Sequence, residues 1–503
     1  MRGTTTALCH GSIALLLAVT AACAAEDDLE GLPDDDQIDP ADLTDMETTY
    51  LAAVTEAAGQ VLYVPPAATN LRLARDEADL AIAIEVLATG DPLPGTDPAE
   101  FAEAKAAFET LEEIGDGLGP IFNENGCVKC HSIGATGGSG LNIERRFGRF
   151  ANGTFNTLAN EGGSLRDLFS NTSYVFNGKT CAIPVEATPA DANVAERGRR
   201  SIPLFGLGLF DSLPDAVFAQ VQATQPADRR GLARRVTTLF PDVRDPAQSN
   251  GGTRLARFGW KLGVPSLVQF SADAYMNEMG ITTQSCVRGT SITAFANEQF
   301  PNNVAPPAGC NGGDLAAANP AGNPRIPEFT DDVVGECSIA ANRDTVQDDV
   351  ELFRTFMEHL APVPRDFSAG TTLINQGEQV FAAIGCAGCH VNGTYITPTS
   401  PFNGVPGRAQ FQLFSDMMLH DMGNAADGIG QNDGDDAFRT RLIRTPPLRG
   451  IRVEQSFMHD GRATTIEGAI NAHGGTPALQ AAANFRALSP TNRTRILAFL
   501  NSL

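Results

Sequence analysis

Apolar residues recur at helical spacing in the stretch that precedes residue 127. After Asp97, apolar side chains return every three or four positions, at Phe101, Ala104, Phe108 and Leu111. This spacing places them on one face of a helix, and an Asp followed by Pro is typical of a helix start. The pattern predicts a helix that begins near residue 97 and ends at the glycines before residue 127, within a helical stretch from about residue 45.

Similar patterns return in two later segments. Residues 376–381 lead directly into residue 386, and residues 492–503 form a final amphipathic pattern. Between them and the first helix, turn-forming residues are frequent, and residues 287–328 are dominated by Asn, Pro, Gly and Ala, which is typical of a surface loop or insertion. Helices separated by long loop insertions predict a mainly α fold.

Length and charge narrow the functional classes. The chain has 503 residues, enough for two or three domains, and its formal net charge is −24. Nucleic acid is excluded as a partner, because binding to phosphates requires clustered Lys and Arg. An acidic surface suits a small basic protein partner, although solubility alone explains the charge of most of the surface.

The first residues have the pattern of an export signal. Arg2 supplies a positive charge, residues 13–19 form a short apolar core, and small residues precede Cys23. Cys23 would be acylated if the signal is that of a bacterial lipoprotein, and the alternative is simple cleavage near residues 22–25. Residues 1–23 are predicted to be an export signal to the periplasm and residues 24–45 an acidic tether. Any contact with a membrane would go through the lipid anchor.

Two Cys-x-x-Cys-His sequences occur in the chain. Their residues are Cys127, Cys130 and His131, and Cys386, Cys389 and His390. This pentapeptide attaches c-type haem: the two thiols bond to the porphyrin and the His binds the iron. A thioredoxin-type motif would need a surrounding βαβ pattern, which is missing. A zinc site would need two more ligands clustered in the sequence. We expect two covalent haems in two cytochrome c-like domains, residues 46–345 and 346–503.

Four cysteines remain outside these motifs and the signal. They are Cys181, Cys286, Cys310 and Cys337. Their even number in an exported, oxidising compartment predicts two disulfides. Four cysteines allow three pairings, and the sequence does not select among them.

Further motifs resemble a known family. They comprise residues 116–120, 137–140, 257–261, 419–423, 444–448 and 457–462. With the haem motifs they are similar to the dihaem oxidoreductase family, whose members are described as peroxidases, over nearly everything after residue 100. The C-terminal half is more distantly similar to bacterial dihaem cytochrome c peroxidases and to the methylamine dehydrogenase maturation enzyme. The resemblance implies hydrogen peroxide or a similar small oxidant as substrate and a small protein as electron donor.

The resemblance also implies a second iron ligand for the C-terminal haem. In those relatives a His-Asp/Asn-Gly element is followed fourteen positions later by that ligand, and counting from His459 reaches His473. His390 and His473 would then bind the iron from opposite sides, with His420 as the next candidate. The alternative is a surface histidine at a helix end. A second imidazole would leave the haem potential lower than the Met of many relatives does.

The N-terminal haem has no obvious sixth ligand. His359, the only histidine between the two motifs, lies near the predicted domain boundary. An open iron position is what the binding of peroxide or dioxygen requires. Lys261, Met276 and Met279 are the side chains that could close it.

A weak internal repeat suggests a catalytic carboxylate for this haem. Residues 265–280 have the length of residues 446–461, and on that register Glu278 takes the place of His459. A carboxylate near an open iron would move protons during cleavage of the O–O bond. Residues 200–204 also resemble the repeat, which leaves a second register open, and a surface acid is the plain alternative.

Two more roles rest on the resemblance alone. Trp260 is the only tryptophan, and its Gly-Trp context is similar to that of the residue that carries electrons between the haems in the relatives. The alternative is an ordinary core tryptophan. The relatives also hold calcium between the haems, just before the His-Asp-Gly element, where Glu454 lies. A surface glutamate is the alternative there.

Two hypotheses for the function follow. The first is an enzyme that reduces peroxide at an open N-terminal haem, with electrons relayed through the C-terminal haem, or that directs the oxidising equivalents into an organic or protein substrate. The second is a periplasmic carrier whose two irons are both closed by protein ligands. The lack of a second histidine in the N-terminal half favours the enzyme.

Overall fold

The computed structural model describes most of the chain after residue 60. The described residues are 61–65, 88–113, 116–171, 174–176, 179–239, 252–287, 290–295, 299–304, 332–335, 349–399 and 405–503. The predicted export signal and tether lie outside them, as do Cys310 and Cys337 and the side chains of Cys181 and Cys286. The disulfides and the signal therefore stay predictions.

Ten α-helices occur among these residues. In chain order they are α1 Pro98–Glu109, α2 Cys127–Cys130, α3 Leu207–Asp211, α4 Ala216–Gln222, α5 Leu267–Met279, α6 Asp349–His359, α7 Thr371–Ala383, α8 Ile466–Asn471, α9 Thr476–Arg486 and α10 Pro490–Leu500. The sequence pattern predicted α1, α7 and α10, and all three are present. Within the described part of the chain, no helix combines the length and the apolar character that a membrane span requires.

Helix α1 starts where the sequence predicted and ends earlier. The side chain of Asp97 accepts a hydrogen bond from a backbone N–H of the first turn and so caps the helix. Phe101, Ala104 and Phe108 are buried, as their spacing predicts. Leu111 was expected on the same face, but it lies beyond the last helical residue and is 44 % exposed.

Helices α7 and α10 cross at a glycine. A Cβ atom on Gly377 would lie 2.0 Å from the carbonyl oxygen of Arg495 and 2.6 Å from Cβ of Phe499, so that a larger residue would push the helices apart. The rings of Phe381 and Phe499 meet edge to face with centroids 5.2 Å apart. Because α7 ends just before Cys386, this helix pair positions the second Cys-x-x-Cys-His sequence.

The expectation of a mainly α fold is wrong, because eighteen short strands accompany the described helices. They are β1 Tyr63–Val64, β2 Ile121–Phe122, β3 Ile143–Ala151, β4 Thr154–Asn156, β5 Leu165–Arg166, β6 Phe169–Ser170, β7 Tyr174–Phe176, β8 Lys179–Cys181, β9 Val194–Arg200, β10 Arg235–Thr237, β11 Thr253–Leu255, β12 Thr283–Val287, β13 Thr290–Phe295, β14 Asp332–Gly335, β15 Thr394–Ile396, β16 Gln410–Phe411, β17 Leu419–Asp421 and β18 Leu442–Arg444. They form small sheets, antiparallel except for the pair β12 and β14.

The ladder between β3 and β9 explains the error. Glu144 lies opposite Arg199, and Arg145 lies opposite Gly198. Directly opposite residues share a face of the sheet, so both faces of this ladder carry charged side chains. Without alternating apolar residues the segment has no hydrophobic signal of period two, and its composition resembles that of a loop.

The largest hydrophobic core draws on both halves of the chain. Phe108 of α1 packs on Phe356 of α6 with ring centroids 4.7 Å apart. Tyr395 of β15 belongs to the same core, and β15 pairs with β1. Helix α6, which the sequence assigns to the C-terminal domain, therefore packs against the N-terminal half. A boundary near residue 345 stays a prediction.

Candidate haem sites

The first Cys-x-x-Cys-His sequence forms the short helix α2 and ends on an oriented imidazole. His131 Nδ1 lies 2.9 Å from the carbonyl oxygen of Gly138, so Nδ1–H donates and Nε2 is the nitrogen that can bind a metal. Burial lowers the pKa of His131 to about 4, which keeps the ring neutral at physiological pH. A neutral imidazole with a fixed Nδ1–H is the form in which histidine binds iron.

The second sequence is arranged in the same way. His390 Nδ1 lies 3.0 Å from the carbonyl oxygen of Phe414. Burial, and next the neighbouring His473, lower the pKa of His390 to about 4. The four cysteines of the two motifs are free thiols and not disulfides. Each motif therefore offers two thiols and one oriented, neutral imidazole, the set that c-type haem requires.

His473 lies opposite His390. Its ring centroid is 6.4 Å from that of His390, and its Nδ1 lies 2.8 Å from the carbonyl oxygen of Ala469. Two imidazoles that bind one metal from opposite sides, each through a bond of about 2 Å, have ring centres roughly 6 Å apart. The spacing fits an iron between the two rings. Ligation by His473 stays a prediction.

Both ring nitrogens of His420 already have partners. Its Nε2 lies 2.7 Å from Asp416 Oδ2, and its Nδ1 lies 3.5 Å from Cys389 Sγ. Burial opposes the charged ring, but the Asp416 carboxylate outweighs it and holds the pKa of His420 well above its usual value. With both ring nitrogens engaged, His420 fits an iron ligand less well than His473 does.

Glu278 lies at the first haem motif. It sits near the end of α5 and is half-buried, and its Oε2 accepts a hydrogen bond of 3.1 Å from Asn123 Nδ2. Burial, and next the charge of Glu278, raise the pKa of the Cys130 thiol to about 12, so carboxyl and thiol are close. Burial and the neighbouring Glu144 raise the pKa of Glu278 itself well above its usual value. Both effects favour the protonated form of this carboxyl group.

Glu144 and Arg146 complete this cluster and were not predicted from the sequence. Arg146 donates from Nε and Nη2 to the two oxygens of Glu144, at 2.6 and 3.1 Å. Glu144 also hydrogen-bonds Glu278. The signal in the sequence was an acid and a base two positions apart, which share one face of a strand, but the segment was expected to be a loop.

The repeat that suggested Glu278 is not a structural repeat. One of its copies contains the helix α5, whereas the other has only the 3₁₀ turn Ile451–Val453. The second register, which aligns residues 200–204 with residues 444–448, does correspond to similar backbone geometry. On it Gly206 matches Gly450; both have positive φ, 73° and 93°, and each precedes a helical turn. The candidacy of Glu278 therefore rests on its contacts and not on the repeat.

Trp260 is buried beside the element that contains His459. Its Nε1–H donates to the carbonyl oxygen of Arg200 at 2.8 Å, and its ring meets that of His459 edge to face with centroids 6.2 Å apart. Ile202 and Ile443 pack around it. The indole is held rigidly between strands from the two halves of the chain. An electron-carrying role stays a prediction.

Lys261 does not lie free to bind iron. Its Nζ donates to the carbonyl oxygen of Thr440 at 2.8 Å and lies 3.2 Å from Asp427 Oδ1. Burial lowers the pKa of Lys261 to about 8 in spite of that carboxylate. Met276 and Met279 are both buried on α5, the helix of Glu278.

Glu454 has a cationic partner already. Its Oε2 accepts hydrogen bonds from Arg200 Nη1 and, at 2.6 Å, from Ser139 Oγ. The guanidinium neutralises the charge that would attract calcium. Among the described residues, no group of three or more His, Cys, Asp and Glu is arranged to hold a metal ion. The calcium site stays a prediction.

Comparison with known proteins identifies the family. The profile described as "Di-haem oxidoreductase, putative peroxidase" matches residues 171–313 and 324–503, which include the second haem motif and not the first. A hydrazine synthase of Kuenenia stuttgartiensis is similar in structure at 14 % identity, over 84 % of this chain and 91 % of that one, with a TM-score of 0.31. No significant match appears among curated protein sequences. The chain belongs to the di-haem oxidoreductase family.

Proposed function

We propose that this protein is an exported oxidoreductase with two covalent c-type haems, which reduces hydrogen peroxide at the N-terminal haem. Cys127, Cys130 and His131 would hold that haem. Electrons would come from a small donor protein and pass through the C-terminal haem. The family membership supports a dihaem oxidoreductase, and the two oriented imidazoles support haem as the cofactor of both motifs.

The single observation that carries the proposal is the position of the Glu278 carboxyl group, which binds Asn123 and lies near Cys130 of the first motif. A haem with an open iron position supplies peroxide binding and electrons. The protein must supply the protons, because cleavage of the O–O bond to give water requires them. Glu278 would supply a proton near Cys130, and Asn123 and Glu144 orient its carboxyl group. Arg146 holds Glu144 in the anionic form, which accepts a hydrogen bond from the protonated Glu278 carboxyl, and Glu278 would regain its proton from solvent after each transfer.

The C-terminal haem would serve as the entry point for electrons. It would be held by Cys386, Cys389 and His390, with His473 as a further ligand of its iron. An iron with two imidazole ligands transfers electrons and offers no site to a substrate. Trp260, packed between the two halves, would shorten the path from this haem to the first one.

The proposal includes the compartment and the partner. A Cys-x-x-Cys-His pair and the apolar stretch at residues 13–19 support export to the periplasm, with Cys23 as a candidate lipid anchor. The net charge of −24 supports a small basic protein as the electron donor. In the alternative reaction, the same haem would use the oxidising equivalents of peroxide to oxidise an organic or protein substrate.

The first test is the electron paramagnetic resonance and optical spectra of the oxidised holoprotein, before and after one equivalent of hydrogen peroxide. We expect one low-spin haem and one high-spin haem, with the high-spin signal lost on addition of peroxide. Two low-spin signals that peroxide leaves unchanged, even after partial reduction, would exclude the peroxidase and leave an electron carrier.

The second test separates Glu278 from the rest of the site. Glu278→Gln keeps the size of the side chain and its hydrogen-bonding capacity but removes the transferable proton. We expect peroxide turnover to fall by about 10²–10⁴-fold, the usual contribution of a general acid–base group. Glu103→Gln is the matched control, since Glu103 is exposed on α1. Equal rates for the two variants would exclude Glu278 as the proton donor.

A further inference from the structure

A polar cavity lies beside the β3–β9 ladder. Its volume is about 280 Å³, and its walls include Arg145, Arg197, His459, Asp460 and Arg462. Arg145 stands on β3 beside Glu144, and successive residues of a strand point to opposite faces. Arg145 therefore points away from Glu144, whereas the wall residue Asp427 binds Arg199, which lies opposite Glu144 in the ladder.

The charges around the cavity leave it positive. The three acids of its wall each have a cationic partner: Asp427 has Arg199 at 2.6 Å, Asp460 has Arg462 at 2.6 Å, and Glu196 has Arg166 at 2.6 Å. The described residues provide no ion pair for the remaining two arginines of the wall, Arg145 and Arg197. In a chain with a net charge of −24, two such guanidinium groups at one cavity are unusual.

A buried imidazole also faces this cavity. His459 is 3 % exposed, and its Nε2 has no hydrogen-bond partner among the described residues. A buried polar atom without a partner costs stability, so such atoms in folded proteins call for a ligand or an ordered water. The ring of His459 is fixed against Trp260, which holds Nε2 in place.

The backbone is strained on two sides of the cavity. Glu196 and Met458 both have positive φ, 53° and 69°, a conformation that costs energy for any residue with a side chain. Glu196 lies next to Arg197, and Met458 precedes His459. Strain of this kind persists at sites where the surrounding structure holds a side chain in a required position.

We propose that this cavity binds a small oxyanion, a carboxylate or a phosphate, through Arg145 and His459, with Arg197 at its exposed edge. Planar guanidinium groups donate paired hydrogen bonds to the oxygens of both anions. His459 Nε2 would donate a further hydrogen bond. The volume admits an anion of a few heavy atoms and excludes large ligands. This inference does not depend on the proposed reduction of peroxide.

Isothermal titration calorimetry on the full haem-loaded chain tests it, with inorganic phosphate and malonate as separate probes at low ionic strength. We expect saturable binding of one anion per chain for at least one probe, and the tighter probe identifies the chemical source. Arg145→Gln should weaken that binding about tenfold, the loss expected when one charge-assisted hydrogen bond is removed. Arg197→Gln, at an exposed position, should weaken it in the same direction.

The matched control is Arg149→Gln. Arg149 lies on the same strand as Arg145, but its partner is Asp191 outside the cavity. Binding in this variant should equal that of the unchanged protein. The inference is overturned if neither probe binds, if both arginine variants of the cavity bind normally, or if Arg149→Gln weakens binding as much as Arg145→Gln does.

Discussion

Glu112→Gln should remove one contribution of about 3 kcal/mol to the pH dependence of stability. Glu112 is 5 % exposed, and Tyr275 Oη donates a hydrogen bond of 3.2 Å to its Oε1. Burial, and next the nearby Asp349, raise the pKa of Glu112 from 4.5 to about 7. The folded state therefore keeps a proton that the unfolded chain releases.

The sign and the size follow from proton linkage. Below pH 4.5 the residue is protonated in both the folded and the unfolded state, so Glu112 does not change the free energy of unfolding with pH. Between pH 4.5 and 7 only the folded state holds the proton, so the free energy of unfolding falls as the pH rises. A shift from 4.5 to about 7 corresponds to a loss of about 3 kcal/mol, since one pKa unit is worth 1.36 kcal/mol. Gln has no proton to lose and should abolish this loss.

Urea denaturation of the haem-loaded protein at pH 4.5, 6 and 7.5 measures the effect. The unchanged protein should lose about 3 kcal/mol more than Glu112→Gln over this range, because only it carries the buried carboxyl. Glu113→Gln is the control, since Glu113 is the next residue and is exposed. If Glu112→Gln has the same pH slope as Glu113→Gln, burial does not perturb Glu112 and the reasoning fails.

Three further predictions concern the haem sites and their support. His473→Ala should convert a low-spin haem signal to high spin, and an unchanged spectrum would show that another group binds the iron. His473→Met should raise the reduction potential of the C-terminal haem in a redox titration. Replacing Cys386 and Cys389 by Ser should reduce the covalently bound haem from two per chain to one, as measured by the pyridine haemochrome of acid-extracted protein. Gly377→Ala should lower the free energy of unfolding by about 1–3 kcal/mol, because its Cβ would meet Arg495 of α10.

The parts of the fold next to the haem motifs could be predicted from the sequence, because their signals are local. A capped start and one apolar face identify α1, and the buried Phe101, Ala104 and Phe108 confirm that face. The end of α1 could not be predicted, since Leu111 continues the apolar spacing past the last helical residue. Spacing shows which face is apolar and does not show where the backbone hydrogen bonds stop.

The strands could not be predicted for a different reason. In β3 and β9 the backbone pairing brings Glu144 opposite Arg199, and the side chain of Arg199 binds Asp427, which is distant in sequence. Only the folded chain shows that Glu144 faces Glu278, or that Arg145 of the same strand faces a cavity instead. Pairings between distant residues leave no periodic pattern for a single sequence to display.

The two haem motifs are oriented alike and yet lie in opposite surroundings. At the second motif, a second neutral imidazole, His473, lies across from His390 at the spacing of a shared metal. At the first, the described surroundings include Glu278, whose pKa is raised, and its neighbour Glu144, whose pKa is lowered. Burying two carboxyl groups side by side is costly, and one arginine offsets only part of that cost. A site that served only to carry electrons would gain nothing from that arrangement, whereas a site that cleaves peroxide needs a proton held close to the iron.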